Sequence, residues 1–296
     1  MVLEYLLSPK TAYKHPWEIA VVAFVFATFG VLAQLFLPGV RGSVVIFTMV
    51  PAIPLIWALL VHEEKAEEKQ IEVYNKWEHA LTRLLCGETL ATKRVKPDQS
   101  QRNVKQYSFL THHWRLISIF AFFFLGALLA YLFWFIVLPH STAQSIFADQ
   151  LQEVENIRGY SAAIVGSVFK PGVFDKLLLH NFEVLAVMFL FSVLYGIGSI
   201  YMLLWNASVI AVVLASKVYE TGIAGVFLGF ISLFPHGIFE LSSYFIASIA
   251  GGLLSVALMR KAYKKPEFSL IAWDVLFLAI GAFALVLIGA FIESSY

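Results

Sequence analysis

Cysteine is almost absent. Cys86 stands alone among 296 residues, which excludes an intrachain disulfide framework and a cysteine-based zinc site. Charge is scarce too: 14% of residues are Asp, Glu, Lys or Arg, where a soluble domain carries about 25%. The net charge of +1 gives no basis for a nucleic-acid partner, and none is expected. The opening stretch MVLEYLLSPKTAYKHPWE lacks a basic segment before a short apolar core, and it lacks a small-residue cleavage site. It does not read as a signal peptide, so the first long apolar run is expected to be a retained anchor.

Hydrophobic residues make up 59% of the chain, 27 of them Phe, with a mean hydropathy of +0.77. They gather in uncharged runs of about 20 residues, the length that spans ~30 Å of hydrocarbon. The expected fold is an all-α, polytopic membrane bundle of six to seven spans, with broken or re-entrant helices in the C-terminal half. Trp17–Leu37 and Ser43–Val61 form a first transmembrane hairpin within residues 1–61. Pro51 and Pro54 lie inside its second arm, where neighbouring helices can accommodate them. Residues 62–114 are polar. Tyr74, Trp77, Leu81 and Leu84 recur at helical spacing, so a solvated helix is expected over 62–87, followed by a linker rich in turn formers. Cys86 is an ordinary residue of that helix. The third span is Leu116–Leu138, within a membrane domain covering 115–296. The stretch 140–180 is polar, with Ile146, Phe147, Leu151, Val154 and Ile157 spaced as an amphipathic helix on the membrane surface or as a small packed loop domain.

Phe182–Ser216 and Gly222–Met259 are each too long for one span and carry one acid apiece, Glu183 and Glu240. Breaks are expected at Gly196-Ile197-Gly198, and at Pro235 with Gly237. The final span is Ile271–Ile292. Ten Lys or Arg fall in 62–115, three in 140–180 and four in 260–265. The positive-inside rule therefore puts the N-terminus, 62–115 and 260–265 in the cytoplasm and 140–180 outside. An odd number of crossings must lie between 180 and 260, and three suit the two long runs best. One crossing with re-entrant pieces is the alternative.

The segment Leu233-Phe-Pro-His-Gly-Ile-Phe-Glu-Leu241 carries the chain's main polar constellation. His236 and Glu240 are four apart and share a helix face. Ser243, Ala247, Gly251 and Ser255 continue that face as a small-residue stripe, which permits close helix approach. Ala207, Ala211 and Ala215 form a second stripe in the preceding run, beside the amide of Asn206, and Asn206 is expected to reach the His236–Glu240 region. Three functions compete for this cluster. It holds broken helices together, it moves an ion, proton or small solute, or it forms a metal-dependent hydrolase centre. His236 and Glu240 give only two zinc ligands where three or four are needed, with Asn206 and His180 as additions. There is no His-Glu-x-x-His, no Gly-x-Ser-x-Gly and no aspartate pair within the runs, so no catalytic residue and no cofactor is assigned. His112-His113-Trp114 reads as interfacial anchoring, and Asp274 as a solvated residue near the cytoplasmic end of its span. Asn206-Ala-Ser208 fits a glycosylation acceptor but sits within a membrane run.

LYGIGSIYMLLWNASVI (194–210) and LFPHGIFELSSYFIASIAGGLL (233–254) resemble the stage II sporulation protein M family, over roughly 115–292. The family's recurring residues fall on Asn206, Pro235, His236, Gly237 and Glu240. The N-terminal hairpin and its charged helix resemble the extension of archaeal-type members. The resemblance implies a membrane scaffold: the member from sporulating bacteria works with peptidoglycan-degrading partners during engulfment, and most other members have no assigned activity. Nothing in this sequence points to sporulation or peptidoglycan. The expectation carried forward is a non-enzymatic scaffold or complex subunit in the cell membrane. Its partners are the lipid bilayer and a protein or second copy met through helix 62–87 or the small-residue faces.

Overall fold

The computed structural model describes residues 12, 14–37, 44–62, 109–162, 173–196, 198–259, 261–264 and 268–295. The helix and linker expected over 62–108 lie outside these beyond His62. Among the described residues the chain is entirely helical. The helices are α1 (Glu18–Phe36), α2 (Val44–His62), α3 (Phe109–Val137), α4 (His140–Ile146), α5 (Ala148–Ala162), α6 (Val173–Tyr195), α7 (Ser199–Thr221), α8 (Ala224–Met259) and α9 (Phe268–Ser294). A single 3-10 turn at Ala262–Lys264 precedes α9. Seven of these helices are long and apolar enough to cross a bilayer: α1, α2, α3, α6, α7, α8 and α9. The three crossings expected between 180 and 260 are α6, α7 and α8. The stretch 140–180 is itself largely helical, through α4, α5 and the start of α6.

The N-terminal hairpin packs on α3. Gly126 lies against the backbone of Ala20, Phe24 meets Phe133, and the Trp134 Nε1–H donates to Thr28 Oγ1 at 3.1 Å. These pairs advance together along both chains, so α1 and α3 run parallel. α2 returns between them. Gly30 gives room for Thr48, whose hydroxyl donates to Val44 O at 2.8 Å and accepts from the Tyr131 hydroxyl at 2.9 Å. Tyr131 and Thr48 are fully buried, and this bond satisfies the tyrosine where neither lipid nor water can.

The C-terminal half is built around α8. α6 runs parallel to it: the Ser192 hydroxyl donates to Ser248 O at 2.7 Å, and Gly251 lies against Phe189 O and Ser192. A side chain at Gly251 would meet that backbone at 2.6 Å, so the close approach depends on glycine. Ser243, Ala247, Gly251 and Ser255 are all buried, as are Ala207, Ala211 and Ala215 on α7. α9 folds back antiparallel to α8, with Gly289 against Glu240 and His236.

One expected helix break falls where the glycines are. α6 ends at Gly196, whose φ of +68° is open to glycine, and α7 begins after Gly198, which leaves room for Phe191 O. The other is not there. α8 is one helix of 36 residues running through Pro235 and Gly237. A proline costs one intrahelical hydrogen bond and some bending, and in a membrane bundle the packing on either side can hold the helix across it. The chain also turns between the two long runs, at Gly222, which closes α7 with φ +71° and a bond from its N–H to Val218 O at 2.8 Å.

The registers sort the helix ends into two faces. Tyr219 near the end of α7 donates its hydroxyl to Phe135 O near the end of α3 at 3.2 Å. That face also holds the start of α6, the start of α8 and the end of α9. Trp57 and Leu60 at the end of α2 lie beside Gly196 and Gly252, on the opposite face with the end of α8. The chain therefore leaves α2 for its charged stretch, and leaves α8 for residues 260–267, on one and the same face.

Candidate functional site

The polar residues of the C-terminal half meet where α6, α8 and α9 adjoin. Asn181 lies two turns into α6 and is buried. Its amide Nδ2 donates to Glu240 Oε1 at 2.7 Å, and its Oδ1 accepts from the Tyr244 hydroxyl at 3.3 Å. One side chain of α6 thus engages two of α8, spaced four apart so that they share a face. The parallel register of α6 and α8 aligns Asn181 with them. From the third side, α9 presents Gly289. A Cβ there would stand 3.0 Å from Glu240 Cγ and 3.5 Å from His236 O, so glycine lets α9 lie close over the Glu240 side chain. Phe182 and Phe283 pack edge to face at 5.6 Å and fasten α6 to α9 nearby.

Glu293, one helical turn beyond Gly289, lies within electrostatic reach of Glu240, His236 and His180. The group thus gathers two acids and two histidines from three helices at the end of the bundle where the chain terminates. His236 is partly exposed, His180 exposed and Glu240 partly buried. Among the described residues, no group of three or more His, Cys, Asp or Glu is arranged to hold a metal ion.

The residues named from the sequence separate here. His236 and Glu240 share the contact, but Asn206 is engaged elsewhere: its Nδ2 donates to Met202 O in its own helix at 2.8 Å. The amide that meets Glu240 is that of Asn181 on α6. Asn181, Tyr244, Gly289 and Glu293 are the residues that sequence reasoning missed. Asn181 stands beside His180 at the head of a long apolar run, and that position was its one sequence signal. Glu293 closes the last run and reads as a solvated end.

A second small network joins α6, α7 and α8 at the glycine break. The Ser199 hydroxyl lies 3.5 Å from Ser192 Oγ, which also faces Gly196 O at 3.4 Å. Four buried serines, Ser192, Ser199, Ser248 and Ser255, surround this joint; the Ser248 hydroxyl donates to Tyr244 O within α8 at 2.7 Å, and Ser192 is the one that reaches a carbonyl at the break.

A family model described as Stage II sporulation protein M matches residues 116–295. No curated protein and no solved structure matches the chain.

Proposed function

We propose that this chain, which belongs to the stage II sporulation protein M family, acts as a non-enzymatic scaffold or subunit of a membrane complex. In this reading the contact of Asn181, Glu240 and Tyr244 fixes α6, α8 and α9 as a unit. The observation that carries it is the bond from Asn181 to Glu240 at 2.7 Å under the cover of Gly289. An acid within a membrane helix is costly and needs a partner, and here its partner is a neighbouring helix of the same protein. Asn206 is satisfied within α7 itself, its amide donating to Met202 O one turn back.

On this reading the face bearing 62–115 and 260–265, with fourteen Lys or Arg between them, is cytoplasmic. The end of α3 and the start of α6, between which residues 140–180 run, are then on the extracytoplasmic side. The charged region 62–87 is the surface offered to a protein partner or a second copy. The alternative is a transporter or channel component, and the grouping of Glu240, His236 and His180 around Glu293 favours it over a hydrolase.

Purified protein in liposomes separates the two. The scaffold reading expects no proton or sodium flux above empty vesicles, and a clear loss of stability on Glu240→Ala. A flux abolished by Glu240→Gln at unchanged stability would replace it with the transport reading.

A further inference from the structure

α4 and α5 are one bent helix rather than two. Phe147 sits between them, yet its N–H bonds to Ala143 O at 3.0 Å and its carbonyl accepts from Leu151 N at 2.9 Å. Ala143, Phe147, Gln150 and Val154 are buried. Their spacing of four, three and four makes a single stripe. Gln144, Ser145, Ala148, Gln152, Glu155 and Asn156 are exposed on the other side.

The buried stripe enters the bundle. The Phe147 ring lies 6.0 Å from that of Tyr131 and 5.4 Å from that of Phe135, and Tyr131 is the fully buried partner of Thr48. The bent helix also follows α7. At one end the His140 ring meets Tyr219 edge-on at 5.2 Å. Farther on, Asp149 comes within electrostatic reach of Tyr201. Tyr219 and Tyr201 lie near opposite ends of a helix that qualifies as a membrane span, separated by roughly 27 Å of helix axis. A helix resting flat on the bilayer at the level of Tyr219 would neither pack along α7 nor set Phe147 against Tyr131, six residues before the end of α3. The bent helix must descend along α7.

That descent sets a solvation problem. Gln144, Gln152, Glu155 and Asn156 cannot face lipid, because hydrocarbon offers amides and carboxylates no hydrogen bonds. Gln150 points the same way from the buried side: it is 1% exposed, and neither Oε1 nor Nε2 has a hydrogen-bond partner among the described residues. Buried amides of this kind are ordinarily satisfied by ordered water. We propose that α4–α5 is a membrane-inserted polar helix whose outer face lines a water-filled recess. The recess opens on the face that bears Gly222 and Ser294, and Gln150 binds water at its floor. It is separate from the α6–α8–α9 contact and does not depend on the scaffold reading.

The test uses full-length Cys86→Ser protein in sealed vesicles, with single cysteines at Ser145 and Gln152 and a lipid-facing control at Leu190, which is 55% exposed on α6. A membrane-impermeant methanethiosulfonate reagent reacts with the hydrated thiolate, so Ser145→Cys and Gln152→Cys should label at least roughly tenfold faster than Leu190→Cys. In the same background, the pair Asp149→Cys and Tyr201→Cys should be joined within one chain by a short bifunctional thiol reagent. Labelling no faster than the control overturns the recess. Labelling without cross-linking overturns the insertion, since a helix lying on the surface would also label. Gln150→Met gives an independent readout: it should lower thermal stability if the amide binds water, and a rise in stability overturns that assignment.

Discussion

If the Asn181–Glu240 bond holds α6 to α8, the two side chains must be energetically coupled, and a double-mutant cycle measures the coupling directly. The perturbations are Asn181→Ala, Glu240→Ala and the pair. Asn181→Ala removes the donor 2.7 Å from Glu240 Oε1 and the acceptor of the Tyr244 hydroxyl. A hydrogen bond to a charged group contributes about 1.5–3 kcal/mol and one between neutral groups about 0.5–1.5 kcal/mol. Interhelical bonds in membranes fall lower, averaging ~0.6 with a maximum near ~1.7 kcal/mol. The carboxylate bond is short and Asn181 is buried, so its coupling belongs near the top of the membrane range, about 1–1.7 kcal/mol. Asn181→Ala alone should cost somewhat more, about 1.5–3 kcal/mol, because it leaves Glu240 and Tyr244 without their partner in a low-dielectric site.

The assay is reversible unfolding of the four proteins in mixed micelles, with helicity and a fluorescence probe followed together so that two-state behaviour is checked. Asn181→Ala in the presence of Glu240→Ala should then be nearly harmless, since the acid that needed the amide is gone. A coupling under about 0.3 kcal/mol, within the range of ordinary additivity, refutes the reasoning: Glu240 would then be solvated from the side on which it is partly exposed, and the helices held by packing alone.

Other substitutions separate packing from backbone conformation. Gly251→Ala puts a Cβ 2.6 Å from both Phe189 O and Ser192 Cβ, and the forced separation of α6 and α8 should cost about 1–3 kcal/mol in the same unfolding assay. Gly237→Ala and Gly222→Ala both add a methyl to open space, with nothing within 4 Å, yet opposite signs are expected. Gly237 is inside a helix, so alanine should stabilise by about 0.5–1 kcal/mol. Gly222, at φ +71° and ψ −164°, occupies a region nearly exclusive to glycine, and alanine should cost about 1–3 kcal/mol. Tyr131→Phe deletes one buried hydroxyl bond to Thr48 and should lower stability by about 0.5–1.5 kcal/mol, as measured by thermal shift.

Much of the bundle was legible because lipid imposes a simple grammar. Apolar runs of about 20 residues had to be helices, and the overlong runs after Phe182 had to be divided. The division at Gly196–Gly198 could be read because glycine alone takes the conformation found there. The division at Pro235 was misread for an instructive reason. In water a mid-helix proline is a strong stop signal, but α8 continues through Pro235 as one helix, and interrupting a helix in lipid strands backbone groups that no water can satisfy. The true end of α7 lies at Gly222, next to the polar Lys217–Thr221 turn, where Lys217 and Glu220 pair at 2.8 Å. The charged stretch 217–221 before Gly222 separates the two long runs in the sequence, and that boundary is where the helices part.

The partner of Glu240 illustrates a different limit. Helix periodicity puts His236, Glu240 and Tyr244 on one face, and that much follows from spacing alone. Which amide meets them depends on whether α6 or α7 lies beside α8 at that depth, and in what register. Asn206 and Asn181 are equally plausible as residue types. The choice is made by the tight joint of Ser192, Gly251 and Ser248, which locks α6 parallel to α8 with Asn181 opposite Glu240, while Asn206 is occupied by its own backbone. Small residues therefore do more than permit close approach. By fixing the register of two parallel helices well away from the acid, they select the side chain that solvates it. Shifting that joint, as Gly251→Ala does, should accordingly weaken the Asn181–Glu240 coupling as well as the packing. A cycle repeated in the Gly251→Ala background that returned an unchanged coupling would show that the polar contact sets its own register.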